Sequence, residues 1–450
     1  MLLRLTVSNY KSFDAETEMP MVSSSKIRMM PDHVVYSNDV KLLKHAAVYG
    51  ANASGKTNLI DCFRFMQQVL GSGLSLRTTS LYCRNNPRNK ERKSLFELQF
   101  SIGERFFAYG FTAVLSKRRV VEEWLYELSS KSQMRLLERR AGEGKPETDL
   151  NLSGVAGTRF DTYADDFAEN ETGLFLTELN RSKRFEKDSP LLVFKDVFKW
   201  ITTQIMVIGP DQPVMMDRFR DYLFDDGAKR VLEQILGSFD TGVSGIELQK
   251  LSKDELADLV PRPVLESIAD DIERRISEER VSSLGVSIRG RSSLVIISLQ
   301  SNGDMSAMAV RLRHASSRSL FDFAEESDGT RRLFDLIILL LAIGDDSVFI
   351  IDELERSLHP MLVRQLLKLF MDLNSQHRAQ LIFSTHEASI MSQELFRRDE
   401  IWFVDRGARG DSRLYSLDRF KERFDKDISK AYLEGRYGAV PIFAELDLAD

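Results

Sequence analysis

The chain opens on strict alternation. Leu3, Leu5 and Val7 fall on one side, and Arg4, Thr6 and Ser8 on the other, which is the period of a half-buried strand over 2–8. Residues 9–13 then read as a polar turn with aromatics. Residues 45–49 (HAAVY) predict a short apolar strand that ends in a glycine-rich loop, and 58–70 (NLIDCFRFMQQVL) carries a helical period. Four short segments rich in aromatic or branched residues follow at 95–100, 106–113, 120–128 and 134–138. They are joined by Gly, Ser and Lys, as in an antiparallel meander. Residues 141–170 are polar and Gly-rich and predict an exposed loop region. From 172 to 280 the pattern is mostly helical, at 191–206, 227–236 and 263–280, and strand character returns at 285–300 and 307–313. The last third alternates helix 330–343, strand 348–351, helix 360–374, and strands 380–384 and 400–404. The alternation predicts an α/β architecture.

Composition narrows the class. The 450 residues leave room for two or three lobes. A formal net charge of −6 gives no global positive field toward nucleic acid or anionic lipid. Two cysteines, Cys62 and Cys83, make no disulfide framework and lack metal-ligand spacing, as suits a reducing cytoplasm. The N-terminus shows no charged-then-apolar leader pattern. The longest clean apolar run, Leu336–Ile343, has eight residues, whereas a membrane span needs roughly 20. The expectation is a cytoplasmic protein with no membrane association. No internal repeat is visible, and no heptad series is long enough for a coiled-coil arm.

Two segments carry chemistry. Residues 50–57 read Gly-Ala-Asn-Ala-Ser-Gly-Lys-Thr, a phosphate-binding G-x-x-x-x-G-K-T loop between a predicted strand and a predicted helix. Gly50 and Gly55 permit the tight turn that aims successive N–H groups at phosphate, and the helix start adds its positive end. Lys56 would bridge the β- and γ-phosphates, and Thr57 would offer its hydroxyl to Mg2+. The candidate nucleotide site is Gly50, Ala51, Asn52, Ala53, Ser54, Gly55, Lys56, Thr57 and Asn58. Residues 348–353 read Val-Phe-Ile-Ile-Asp-Glu, a strand buried on both faces with two acids at its carboxyl end, where ligands bind in parallel sheets. Asp352 would hold Mg2+, and Glu353 would polarise the attacking water as general base.

The remaining motifs resemble those of an ABC-type P-loop ATPase of the OLD/RecF/SMC-like group. Ser327-Asp-Gly-Thr330 resembles the divergent ABC signature loop, so Ser327, Gly329 and Thr330 would meet ATP held by a second protomer. The same residues also read as a simple N-cap. Leu354–Pro360 resembles the D-loop, with Ser357 and His359 at the dimer seam. Thr385-His386 resembles the switch histidine that reaches the γ-phosphate. Gln99 reads equally as the Q-loop ligand of Mg2+ or as a cross-strand polar residue. Asn9–Phe13 resembles the opening motif of the group, where Lys11 and Ser12 would help hold phosphate or base.

The resemblance implies an ABC-type ATPase head: a mixed parallel sheet with the P-loop, plus an antiparallel β subdomain. Residues 1–140 and 311–450 would be its two parts, and 141–310 an inserted, mainly helical lobe. It implies hydrolysis of ATP to ADP and phosphate with Mg2+, a homodimer or higher homo-oligomer closed around ATP, and Glu353, His386 and Lys56 as catalytic groups. The ending Tyr432–Pro441 resembles bacterial abortive-infection ATPases, which implies anti-phage defence with a separate, nuclease-like effector. Fewer than 70 residues follow His386, too few for the Toprim nuclease of OLD proteins. A RecF-like DNA-binding role is the competing reading, with Arg88–Lys93, Lys117–Arg119, Arg181–Arg184 and Arg311/Arg313 either nucleic-acid contacts or ordinary solvated charge. An ATP-bound scaffold with little turnover is a third.

Overall fold

A computed structural model describes residues 1–142, 144–181, 183, 185–210, 219–279, 283–289, 293–300, 302–421 and 427–441. Along the chain run β1 (Leu2–Ser8), β2 (Thr17–Pro20), β3 (Val34–Ser37), β4 (Val40–Leu43), β5 (His45–Tyr49) and helix α1 (Lys56–Ser72). The meander follows as β6 (Ser94–Ile102), β7 (Arg105–Val114), β8 (Arg119–Leu128) and β9 (Gln133–Arg140). Next come α2 (Gly154–Phe167), α3 (Phe175–Asn180), α4 (Leu192–Lys199) and β10 (Ile205–Ile208). Then come α5 (Phe219–Phe224), α6 (Asp226–Ser238), β11 (Val243–Lys250), α7 (Lys253–Leu259), α8 (Arg262–Glu279), β12 (Ser283–Arg289), β13 (Leu294–Gln300), β14 (Met305–His314), β15 (Leu320–Asp322) and α9 (Asp328–Leu341). The chain closes with β16 (Val348–Ile351), α10 (Pro360–Leu373), β17 (Gln380–Thr385), β18 (Ile401–Arg406), β19 (Ser412–Ser416) and α11 (Ile428–Leu433). No helix among the described residues is long and apolar enough to cross a membrane.

The chain divides into two compact units. The first comprises 1–210, 344–354 and 374–450, and the second 211–343 and 355–373. The first unit holds two six-stranded sheets. One, in the order β10-β16-β17-β5-β18-β19, is parallel from β10 to β18, with β19 antiparallel at the edge. Its central strands β5, β16 and β17 are buried at every position, as expected of a parallel sheet covered on both faces. The other sheet, β2-β1-β6-β7-β8-β9, is the antiparallel meander with β1 and β2 added to its edge. Helix α1 buries Leu59, Ile60, Phe63, Met66, Val69 and Leu70 in this unit's core. Its Phe65 ring lies 4.7 Å from Phe96 of β6. Gln380 ties the two sheets together: its side chain accepts from Leu2 N (2.5 Å) and donates to Leu2 O (3.0 Å) and Leu43 O (2.8 Å).

Three sequence expectations change here. Residues 154–167 are helix, because Phe160, Ala164 and Phe167 recur at helical spacing and bury one face. Helix 191–206 breaks after α4, and Ile205–Ile208 becomes an edge strand paired in parallel with Val348–Ile351. The stretch 141–310, expected as one mainly helical insert, is divided between the two units. Its first 70 residues belong to the first unit, and the rest carries most of a sheet ordered β11-β14-β13-β12, whose β14 runs on to His314 and pairs with β15 at Leu320–Asp322. In the second unit, Val295, Ile297, Ala307 and Ala309 of that sheet pack with Leu256 and Val260, and Ile272 and Ile276 of α8 pack with Leu299.

Candidate nucleotide site

The site follows from strand direction. Strands β5, β17 and β16 are parallel neighbours, with Tyr49 opposite Thr385 and Phe383 opposite Ile351. Their carboxyl ends therefore deliver the loop after Tyr49, His386 after Thr385, and Asp352-Glu353 after Ile351 to one edge of the sheet. This is the edge where open α/β sheets bind ligands.

The loop itself is tightly built. Ala53 (φ 59°) and Gly55 (φ 112°) are left-handed, and helix α1 starts at Lys56 with Gly55 as its N-cap. A Cβ on Gly50 would collide with the carbonyl oxygen of Val404, and one on Gly55 with the hydroxyls of Ser412 and Ser12. Only glycine fits either position, and the turn leaves Asn52, Ala53 and Thr57 exposed. Lys56 is buried; its Nζ donates to Gly50 O (2.7 Å) and Ala51 O (3.1 Å) and lies 3.4 Å from His386 Nδ1. Two residues before His386, Ser384 Oγ donates to Asp352 Oδ1 (2.5 Å) and accepts from Glu353 N (2.9 Å). Asp352 is 2% exposed, and its N–H donates to Ile208 O at 2.8 Å. Glu353 turns the chain away from the strand at φ 50°. A strained, non-glycine left-handed residue at a strand end is a common mark of a working site.

Lys11 and Ser12 flank the same helix start. Ser12 Oγ accepts from Asn58 Nδ2 (2.8 Å) and Ser412 Oγ (2.7 Å), and Ser412 Oγ reaches Ser54 O (2.5 Å). Lys11 forms an ion pair with Asp61 of α1, which makes it a clamp on the helix. Ser384 and Ser412 escaped the sequence reading. Ser384 had a weak signal, a hydroxyl in an otherwise apolar strand just before Thr385-His386; Ser412 had none. Gln99 requires a correction: it sits mid-strand in β6 opposite Arg4 and Ala108, and its amide donates to Glu97 Oε1 at 3.1 Å. It is a cross-strand polar residue of the antiparallel sheet, and no magnesium role follows from its position.

The family is decided by extent of match. A family model described as "AAA domain, putative AbiEii toxin, Type IV TA system" matches residues 46–392, a span that contains the loop, both acids and His386. The chain belongs to this AAA-domain family. No curated protein matches it. Among solved structures, the AAA-domain chain is similar to the SMC head bound to the C-terminal winged-helix domain of ScpA: 14% identity, 92% of this chain and 97% of that one covered, TM-score 0.39. It is also similar to the SMC head domain of Thermotoga maritima, with 15% identity, 92% and 98% coverage, and TM-score 0.33.

The donor set of the AAA domain fits a magnesium-bound nucleoside triphosphate. A loop whose glycines admit no side chain, a buried lysine and a helix N-terminus worth roughly half a positive charge suit phosphate. An exposed threonine hydroxyl and a buried aspartate suit a hard divalent ion. In the second unit, Ser327 caps α9: its Oγ accepts from Thr330 N (3.1 Å) and lies 2.9 Å from Thr330 Oγ1. Gly329 packs so closely that a Cβ would sit 2.8 Å from Ser357 O, and Ser357 is itself left-handed at φ 60°.

Proposed function

We propose that this chain hydrolyses ATP as an ABC-type ATPase, closes as a dimer around the nucleotide, and serves as the regulatory subunit of a separate, nuclease-like effector in bacterial anti-phage defence. One observation carries the catalytic part: three parallel strand ends bring together a Lys56–His386 contact and Ser384, which bonds the Asp352 carboxylate and the Glu353 backbone N–H. In this reading the loop amides and Lys56 hold the triphosphate. Thr57 and Asp352 would hold Mg2+, which supplies charge neutralisation between phosphate oxygens. Glu353 accepts the proton of the attacking water, and His386 steadies the γ-phosphate beside Lys56. Ser327, Gly329, Thr330 and Ser357 would face the ATP of the second protomer. The family description names a toxin–antitoxin system, and such a two-component arrangement supports a separate partner.

The DNA-binding alternative draws on the basic patches, and part of their charge is already engaged. Arg92 pairs with Asp14 and Lys93 with Glu122, Lys117 with Glu91, Arg311 with Asp322, and Arg313 with Glu247. Ser182 and Arg184 lie outside the described residues. The test is Glu353→Gln. It should retain ATP, lose at least ~100-fold in turnover, the usual worth of a general base, and run as a dimer with ATP in size exclusion with light scattering. A monomer under saturating ATP would sink the sandwich. Steeply salt-dependent, ATP-dependent DNA binding without a co-purifying protein would hand the function to the DNA-binding reading.

A further inference from the structure

At the opposite end of the strand that leads into the phosphate loop, three ligand-type side chains from distant parts of the chain meet. His33 closes a short turn (Pro31–His33), His45 is the first residue of β5, and Glu400 directly precedes β18, the parallel neighbour of β5. We propose that His33, His45 and Glu400 form a binding site for a transition-metal cation of the Zn2+ type, separate from the nucleotide's Mg2+.

The geometry makes the case. Glu400 Oε1 lies 3.1 Å from His33 Nδ1 and 3.2 Å from His45 Nδ1, and the three ligand atoms all fall within 4.8 Å of one another. A tetrahedral zinc ion with bonds of about 2.0–2.2 Å spaces its ligand atoms about 3.3–3.5 Å apart. The two glutamate–histidine distances would therefore open by only a few tenths of an ångström to admit one. Among the described residues, this is the one group of three such side chains so arranged.

Its chemistry suits the ion as well. Glu400 is fully buried and His45 nearly so, at 2% exposure; the His33 side chain, 12% exposed, marks the way in. A neutral imidazole is the form that binds metal. Both histidines turn Nδ1 toward the Glu400 carboxylate, so a bound ion would take the place of the protons shared in those contacts. The neighbours fix the ligands in place. Arg397 N donates to Glu400 Oε2 (2.8 Å), and Lys44 N donates to His33 O (2.9 Å). The Arg397 guanidinium, itself paired with Asp399, reaches back to Met29 O (2.6 Å) in the segment before His33. Outer contacts of this kind orient metal ligands and tune their basicity. Two histidines and a carboxylate favour zinc-like ions over Mg2+ or Ca2+, which prefer all-oxygen shells.

The test uses the full chain without nucleotide. After chelator treatment and desalting, Zn2+ is titrated in, and bound metal is counted by elemental mass spectrometry while thermal unfolding is followed. The wild type should retain about one Zn2+ per chain through a second desalting and melt at higher temperature with it. His33→Ala should lose both properties, and His33→Cys, which restores a ligand, should regain them. Co2+ in the wild type should give the intense visible absorption of a four-coordinate site. Equal metal retention by wild type and His33→Ala, or a pale six-coordinate Co2+ spectrum, would overturn the proposal. ATP binding, measured separately on the same samples, stays intact in His33→Ala, so failure here and failure of the ATPase reading remain distinguishable.

Discussion

Strand β5 carries polar chemistry at both ends and treats it in opposite ways. At its carboxyl end, an exposed loop lies over a buried set of polar groups. Glycine-rich backbone leaves Asn52, Ala53 and Thr57 exposed, and Lys56, Ser384 and Asp352 are held by short contacts beneath them. At its amino end, polar groups are hidden. His45 and Glu400 are shut in the interior and answer one another and His33. A single five-residue strand thus separates a region built to meet a ligand from one built to fasten chain segments. The lesson is energetic. A buried carboxylate with its partners removed costs several kcal/mol, so groups at the amino end serve stability first. Exposed groups such as Thr57 lose little stability when cut and can be committed to a ligand.

The contrast can be broken by substitution. Lys56→Ala should have the largest effect, with ATP binding falling by at least ~100-fold through loss of a desolvated charge-assisted contact. Its unfolding temperature without nucleotide should stay near wild type; nucleotide titration and calorimetry read the two separately. Glu400→Ala should do the reverse. It strands two imidazoles and should cost about 3 kcal/mol of stability, with ATP affinity at permissive temperature within about twofold of wild type. If instead it abolishes ATP binding in folded protein, the two ends are not independent. The smallest effect belongs to Ser384→Ala. It removes the hydroxyl joining Asp352 to the Glu353 backbone and should lower turnover about tenfold, with a stability loss near 1 kcal/mol. An unchanged turnover would show that the acids hold their place without β17.

The same contrast explains what could be read beforehand. The displayed end is contiguous in sequence: residues 50–57, 348–353 and 385–386 each place their chemistry directly after an apolar strand. A parallel sheet must bring such ends to one edge. The hidden end comes from positions 33, 45 and 400, and no local pattern links a histidine after Pro31-Asp32 to a glutamate 367 residues later. Strand β10 failed for a related reason. Four apolar residues after a helix do not reveal their period, and what makes Ile205–Ile208 a strand is its pairing with Val348–Ile351. Gln99 stayed open between two readings because a glutamine in an alternating strand and a glutamine at a strand end look alike until the register is known.

The absent side chain of Gly329 has a mechanical meaning. With the carbonyl of Ser357 pressed where a methyl group would stand, the first turn of α9 and the loop before α10 share one van der Waals boundary. Displacement of either transmits to the other without slack. Enlarging residue 329 even to alanine would insert a wedge between them, so a small side chain here sets how faithfully one segment reports the position of the next.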